Sequence, residues 1–189
     1  MRSWQTEFPS NPPLTLSVNV TAKEFAHPGL ISDIVQALEQ SGLEPSTLQL
    51  EIVETVAMRD AEKPEGVLRQ AKSLGVRLSI DDFGTGYSSL SRLRHFPADT
   101  LKIDRTFISR MDIDADNRAV VCTILALAHN LGLTVVAEGT ETLGEVNALL
   151  GIDCEYAQGY FFSRPVDGET ALHLLRTGLC GERAAAHAH

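Results

Sequence analysis

The fold is decided around the stretch Arg77-Leu-Ser-Ile-Asp-Asp-Phe-Gly-Thr-Gly86, where an apolar strand pattern leads into two acidic residues and a glycine turn. Because strand side chains alternate between faces, Leu78 and Ile80 point to one side while Ser79 and Asp81 point to the other. The stretch therefore predicts a strand with one apolar face, one polar face and carboxylates at its carboxyl end.

Similar strand patterns recur along the chain and alternate with helical ones. Short runs rich in Val, Ile and Leu predict strands over 14–20, 48–53, 77–80, 100–103, 133–137 and 155–162. Apolar residues at helical spacing predict helices over 31–38, 67–74 and 120–131, followed by Gly42, Gly75 and Gly132. The alternation is typical of βα units with a parallel sheet, either an open doubly wound sheet or part of a barrel.

Composition limits the class of protein. The 189 residues carry a net charge of −9 and are 43% hydrophobic, which predicts a globular domain with a real core. The acidic balance argues against a general nucleic-acid binder, and no apolar run approaches the ~18 residues of a membrane span. The amino terminus lacks a signal-peptide pattern, and the cysteines (Cys122, Cys154 and Cys180) show no CxxC spacing. We therefore expect a cytoplasmic protein with reduced thiols.

Polar residues recur at the carboxyl ends of the predicted strands, where α/β proteins build their active sites. They are Asn19, Glu51, Asp81, Asp82, Lys102 and Glu138, with Gln158 inside the last apolar run. Clustered carboxylates repel one another and require cations, and oxygen ligands suit Mg²⁺ or Mn²⁺. This pattern favours a divalent-metal site for a phosphorylated substrate; the alternative is a set of solvated carboxylates without a metal.

These residues, in this order, resemble the EAL domain family of bacterial phosphodiesterases that act on cyclic di-GMP. The resemblance covers about residues 9–175. The matching segments are Ser17-Val-Asn-Val-Thr21, Leu50-Glu-Ile-Val-Glu54, Ile80-Asp-Asp-Phe-Gly-Thr-Gly-Tyr-Ser-Ser-Leu90, Leu101-Lys-Ile-Asp104, Val136-Ala-Glu-Gly-Thr-Glu141 and Ala157-Gln-Gly-Tyr-Phe-Phe-Ser-Arg-Pro165.

The resemblance implies an α/β fold, a modified TIM-like barrel with one antiparallel strand, and a two-metal site that produces linear pGpG. The implied metal ligands are Asn19, Glu51, Asp81, Asp82 and Glu138. The other implied site residues are Lys102 beside the catalytic water, Glu141 and Gln158 completing the site, and Glu54 holding the Asp-Phe-Gly-Thr-Gly loop.

One departure from the family pattern is large, because the Glu-Ala-Leu sequence that names the family is absent. Only about sixteen residues precede Ser17, and Trp4 and Phe8 resemble the end of a preceding helix. We expect an incomplete barrel of about six of eight strands over 14–176, preceded by a remnant over 1–13 and followed by a tail over 177–189.

Two functions remain open from the sequence. The first is a cyclic di-GMP phosphodiesterase impaired by the loss of its first strands. The second is an inactive module that binds cyclic di-GMP or another protein. Exposed sheet edges predict a homo-oligomer in both cases, and a longer protein could add an upstream sensor or diguanylate cyclase-like domain. The sequence does not distinguish Mg²⁺ from Mn²⁺.

Overall fold

Six parallel strands form one curled sheet in which each strand pairs with its neighbours in the chain. This is a computed structural model that describes residues 1–57, 62–86 and 90–177. The strands are β1 (Leu16–Asn19), β2 (Leu48–Val53), β3 (Arg77–Phe83), β4 (Thr100–Ile103), β5 (Thr134–Glu138) and β6 (Tyr156–Gln158). Parallel order places every carboxyl strand end at the same rim of the sheet.

Helices connect the strands and cover the outer face of the sheet. They are α1 (Arg2–Glu7), α2 (Ala22–Phe25), α3 (Leu30–Ser41), α4 (Glu54–Ala57), α5 (Glu62–Ser73), α6 (Leu90–Leu93), α7 (Arg105–Ile108), α8 (Ala115–Asn130), α9 (Leu143–Leu150) and α10 (Gly168–Thr177), with a 3₁₀ turn at Pro45–Thr47. The three predicted helices correspond to α3, α5 and α8. None of the helices in these ranges is both long and apolar enough to cross a membrane.

The six predicted strands are all present, but the last is much shorter than expected. β6 stops at Gln158 because the chain turns at Gly159, whose carbonyl accepts the amide of Phe162. A side chain at Gly159 would collide with the backbone of Thr140, so only glycine allows this close approach. The apolar pattern through residue 162 therefore reflects packing after the strand and does not extend the strand itself.

The core lies between the sheet and the helices, on the face that the alternation of side chains predicts. Leu101 and Val135 pack in one cluster with α8, and Leu50 and Ile52 pack in a second cluster with α3 and α5. The other face of the strands carries the polar side chains that line the inside of the curled sheet. One face of the strands therefore forms the core, and the opposite face of the same strands carries the candidate site.

Val18 departs from this scheme. The alternation predicts that it lies under a helix, but it is 41% exposed. β1 pairs only with β2 among the described strands, so it forms one edge of the sheet, and β6 forms the other. An edge strand has no neighbour to bury its second side, which explains the exposure of Val18.

Two carboxylates hold neighbouring strands together at their amino ends by accepting backbone amides. Asp99, before β4, accepts the amide of Leu78 at 2.8 Å and pairs through both oxygens with Lys72. Glu155, before β6, accepts the amide of Val135 at 3.3 Å and lies 2.9 Å from the Nε2 atom of His129. These contacts lie at the rim opposite to the one that carries the site described below.

Candidate metal centre

Lys102, on β4, lies at the centre of the candidate site. Its Nζ atom is 2.8 Å from one carboxylate oxygen each of Glu51, Asp81 and Glu138. Asp81 and Glu138 lie on the adjacent strands β3 and β5, and Glu51 lies on β2, one strand further away. The lysine is only 4% exposed. Burial alone would lower the pKa of Lys102, but hydrogen bonds to the three carboxylates raise it above the usual value. Lys102 therefore stays positively charged.

Asp82 joins the cluster through an unusual backbone conformation. Regular alternation would turn its side chain away from Asp81, but Asp82 has a φ of 53° and the pairing of β3 with β4 shifts register between Ile80 and Phe83. Aspartate is among the few residues that adopt this left-handed conformation. As a result, carboxylate oxygens of Asp81, Asp82 and Glu138 all lie within 4.8 Å of one another.

The negative charge of the cluster is only partly balanced. Burial raises the pKa of Glu138 to about 7; the charges of Asp81 and Glu51 add to this effect, whereas Lys102 opposes it. Burial also raises the pKa of Asp82, aided by the charges of Asp81 and Asp104. Several carboxylates around one ammonium group thus leave an excess of negative charge in a partly buried place.

The donor set fits a divalent cation. Oxygens within 4.8 Å of one another can share one Ca²⁺ at about 2.3–2.6 Å, and they would have to approach to about 4.2 Å or less to share one Mg²⁺ at about 2.1 Å. The Oδ1 atom of Asp81 is buried, and among the described residues its partner is the Lys102 ammonium group at 2.8 Å. Carboxylate oxygens without His or Cys suit Mg²⁺, Ca²⁺ or Mn²⁺ better than zinc.

Glu54 fixes the loop that follows Asp82. Its carboxylate is buried at the start of α4, and its Oε2 atom accepts the amides of Gly84 at 2.7 Å and Gly86 at 3.3 Å. A side chain on Gly86 would come within 2.9 Å of the same carboxylate. The loop is therefore held against Glu54 by charged hydrogen bonds and by the absence of side chains.

Glu145 has a similar role after β5 and was not predicted from the sequence. This buried carboxylate accepts the amides of Arg110 at 2.9 Å, Glu141 at 2.8 Å and Thr142 at 3.0 Å. Thr142 in turn accepts the amide of Glu145, which completes a capping box at the start of α9. The Thr-x-x-Glu spacing was visible in the sequence as a capping signal, but its contact with Arg110 was not.

The remaining predicted site residues lie at the periphery of the cluster. Asn19 is in register with Glu51 on the neighbouring strand β1 and is exposed. Glu141 and Gln158 are also exposed, and the carbonyl of Gln158 accepts the amide of Thr140 at 3.1 Å. The structure thus brings Glu51, Asp81, Asp82, Glu138 and Lys102 together and places these three residues around them. Of the glycine-loop motif, residues 87–89 lie outside the described residues, as does Cys180.

Comparison with known proteins matches this chain to one family. The model of the EAL domain matches residues 1–165. The bifunctional diguanylate cyclase/cyclic di-GMP phosphodiesterase MucR of Pseudomonas aeruginosa is 46% identical over 157 residues, which are 83% of this chain and 23% of MucR. The cyclic di-GMP phosphodiesterase NbdA of the same organism is 45% identical over 155 residues, or 81% of this chain and 20% of NbdA. The chain thus spans about a quarter or less of these two relatives.

Solved structures agree with this assignment. The PaMucR phosphodiesterase in complex with c-di-GMP has a TM-score of 0.84 and 43% identity, with 90% of this chain and 68% of that chain covered. The EAL domain of Mycobacterium smegmatis DcpA has a TM-score of 0.85 and 35% identity, with 93% and 78% covered. Klebsiella pneumoniae BlrP1 with manganese and cyclic di-GMP has a TM-score of 0.74 and 34% identity, with 80% and 39% covered. The six-stranded sheet is an incomplete TIM-like barrel, and the chain belongs to the EAL domain family.

Proposed function

We propose that this chain carries the metal-binding face of a site that hydrolyses a phosphodiester bond of cyclic di-GMP to give linear pGpG. The observation that supports this most directly is the acidic cluster around Lys102 at the carboxyl rim of the sheet. Two relatives at 45–46% identity are named as cyclic di-GMP phosphodiesterases. A bound cation would supply positive charge for the anionic phosphodiester, and this cluster is suited to hold one.

The proposed metal is Mg²⁺ or Mn²⁺, bound in a two-metal site. Its ligands would be Asn19, Glu51, Asp81, Asp82 and Glu138. When bound, such ions activate water and stabilise the charge that develops at phosphorus. Solved complexes of BlrP1 contain calcium in one case and manganese in another, each with the cyclic dinucleotide.

The protein's own side chains orient the candidate metal ligands and balance part of their negative charge. The Lys102 ammonium group holds Glu51, Asp81 and Glu138 at fixed separation and keeps its own proton, so it cannot act as a base. Because the three carboxylates take up its three N–H donors, it would donate to a water or phosphate oxygen only after a bound cation has drawn one carboxylate away. Glu54 anchors the loop that follows Asp82, and Glu145 anchors the loop that contains Glu141. Glu141 and Gln158 would contribute polar contacts at the rim.

Turnover by the 189-residue chain is proposed to be slow, since the chain contains no Glu-Ala-Leu sequence. The test is formation of pGpG from cyclic di-GMP with Mg²⁺ or Mn²⁺, measured for this chain and for a chimera that carries the upstream part of the MucR EAL region. The chimera should be much faster, and Asp81→Asn should abolish activity in both. Metal-dependent turnover in neither protein would refute the proposed catalysis.

The alternative is a module that binds cyclic di-GMP without cleaving it. The observation in its favour is that the described sheet remains open between β1 and β6, which leaves Asn19 exposed beside the cluster. Calorimetry that shows micromolar binding together with no pGpG would select this function over catalysis.

We also propose that the chain forms a homo-oligomer through its open side. Val18 on β1 is 41% exposed and Tyr156 on β6 is 54% exposed, so both edges present apolar surface beside unpaired strand backbone. A second copy is the partner that would cover these edges.

A further inference from the structure

We infer that the short helix α7 is a positioning element that sets the geometry of the acidic cluster, acting through Phe107 and Arg105 on Gly84 and Gly139. This inference rests on the proposed metal-dependent function. It assigns a role to residues that would not touch the metal themselves.

The first contact is between Phe107 and the loop after β3. Gly84 follows Asp82 by two residues and has a φ of 102°. A Cβ atom on Gly84 would lie 2.5 Å from the Cε2 atom of Phe107, so the aromatic ring packs directly on the backbone of the loop. With Glu54 bound to the amide of the same glycine, the loop is fixed between a carboxylate and a ring.

The second contact is between Arg105 and the end of β5. Gly139 directly follows Glu138 and has a φ of 70°. A Cβ atom on Gly139 would overlap the Cβ atom of Arg105, so here too the backbone packs without a side chain between the two elements. One short helix therefore contacts the backbone beside two of the three clustered carboxylates.

The helix α7 is itself firmly placed. It begins directly after Lys102-Ile-Asp104, and the Asp104 carboxylate accepts the amide of Thr106 at 2.9 Å. Ile108 is completely buried in the core. The amide of Arg110, just beyond the helix, donates to Glu145, which also holds the loop that contains Glu141.

These contacts tie the ends of β3, β4 and β5 to one short helix. A change in the position of α7 would move Asp82 and Glu138 relative to Lys102. Groups that orient metal ligands from outside typically change metal affinity by about 10–100-fold when they are removed.

The test compares Mn²⁺ affinity, measured by electron paramagnetic resonance of free Mn²⁺, in the whole chain and its variants. Phe107→Ala should weaken Mn²⁺ binding about tenfold or more, and Phe107→Leu should weaken it to an intermediate degree. The matched control is Phe96→Ala. Phe96 is a half-buried phenylalanine of the same core that precedes β4 at the opposite rim.

The control separates positioning from general stability. Phe96→Ala should lower the melting temperature about as much as Phe107→Ala but leave Mn²⁺ affinity unchanged. If Phe107→Ala does not fold, Phe107→Leu carries the comparison. Wild-type affinity for Mn²⁺ in a folded Phe107 variant would overturn the inference alone, whereas no Mn²⁺ binding by the wild-type chain would overturn the proposed metal site as well.

Discussion

Lys102 is the residue on which the electrostatics of the site depend. Three carboxylates approach its ammonium group within 2.8 Å, and the lysine side chain itself is only 5% exposed. When one member of a buried ion pair is removed, the remaining charge stays buried without a partner. The resulting loss of stability is usually larger than the net stabilisation that the intact pair provided. The same charge also competes with any divalent cation for the carboxylates.

Lys102→Met is therefore expected to have opposite effects on folding and on metal binding. Without metal, the free energy of unfolding should fall by about 3–5 kcal/mol because the carboxylates repel one another. Mn²⁺ affinity should be retained or increased, since a competing positive charge is gone, while turnover is lost. Urea unfolding with and without Mn²⁺ measures both effects.

Lys72→Met is the matched control for this substitution. Lys72 pairs with Asp99 at the amino rim, and both side chains are about a third exposed. The loss of stability should be about 1 kcal/mol or less and independent of Mn²⁺. An equal loss in both variants would contradict the special role of the Lys102 environment.

The Glu145 carboxylate should make the stability of the fold depend on pH. Burial alone would raise its pKa, but the backbone amides of Glu141, Arg110 and Thr142 outweigh this effect and lower the pKa below the usual 4.5. Such a carboxylate stabilises the fold fully above about pH 4.5, and this stabilisation is lost as the pH falls through the lowered folded-state value.

Glu145→Gln should reduce the free energy of unfolding at pH 7 by about 1–3 kcal/mol, because buried amides lose a charged acceptor. The difference from wild type should shrink in acid, since glutamine does not titrate. Urea unfolding of both proteins at pH 7, 5 and 3.5 measures this difference in the free energy of unfolding. Glu24→Gln, in the exposed capping box of α2, is the control and should have a much smaller effect at every pH.

Among single residues, the sequence predicted those on regular strands and not those that depend on irregular backbone. Glu51, Asp81 and Lys102 follow from alternation along β2, β3 and β4. Asp82 joins them only because of its left-handed φ and the local register shift, which no alternation can reveal. It was a candidate because it follows Asp81 at the carboxyl end of a predicted strand, and the family resemblance added the expectation that it binds metal.

At the scale of elements, the loop after β3 depends on Glu54. Glu54→Gln replaces a charged acceptor of two amides with a neutral amide group. We expect faster hydrogen exchange at Gly84 and Gly86 and a fall in unfolding free energy of about 1–3 kcal/mol. Hydrogen exchange by NMR tests this, with the exposed Glu39→Gln as control; unchanged exchange at both glycines would contradict the assigned role.

The elements themselves were predicted to different extents for a physical reason. The strands and the helices α3, α5 and α8 are long enough to show a period in their apolar residues. The helices α4, α6 and α7 have four residues each, and so few positions display no period. Of these short helices, α4 begins directly after β2 and α7 one residue after β4, and both contact the backbone around the acidic cluster.

At the scale of the whole molecule, the described sheet has two free edges. Val18→Lys places a charge on the β1 edge and should weaken self-association, which can be measured by light scattering over a range of concentrations. Val120→Lys is the control, because Val120 on α8 is 38% exposed and lies away from either edge. A wild-type chain that stays monomeric at high concentration would contradict the proposed oligomer.

The strand order was predictable from the rhythm of strands and helices, but the choice between an open sheet and a barrel was not. That choice depends on how strongly the sheet curls, which arises from the packing of many side chains and leaves no local pattern. The family resemblance supplied the barrel, and the likeness to solved EAL structures agrees with it.

The contacts of Asp99 and Glu155 at the amino rim have a practical consequence for protein engineering. Asp99 and Glu155 fasten the sheet at the rim opposite to the acidic cluster. Tethers, fluorescent labels or added cross-links placed near Lys72 or His129 would thus be separated from the carboxyl rim by the full length of the strands. An immobilised form of this domain could be attached there with the rim that carries the acidic cluster left open.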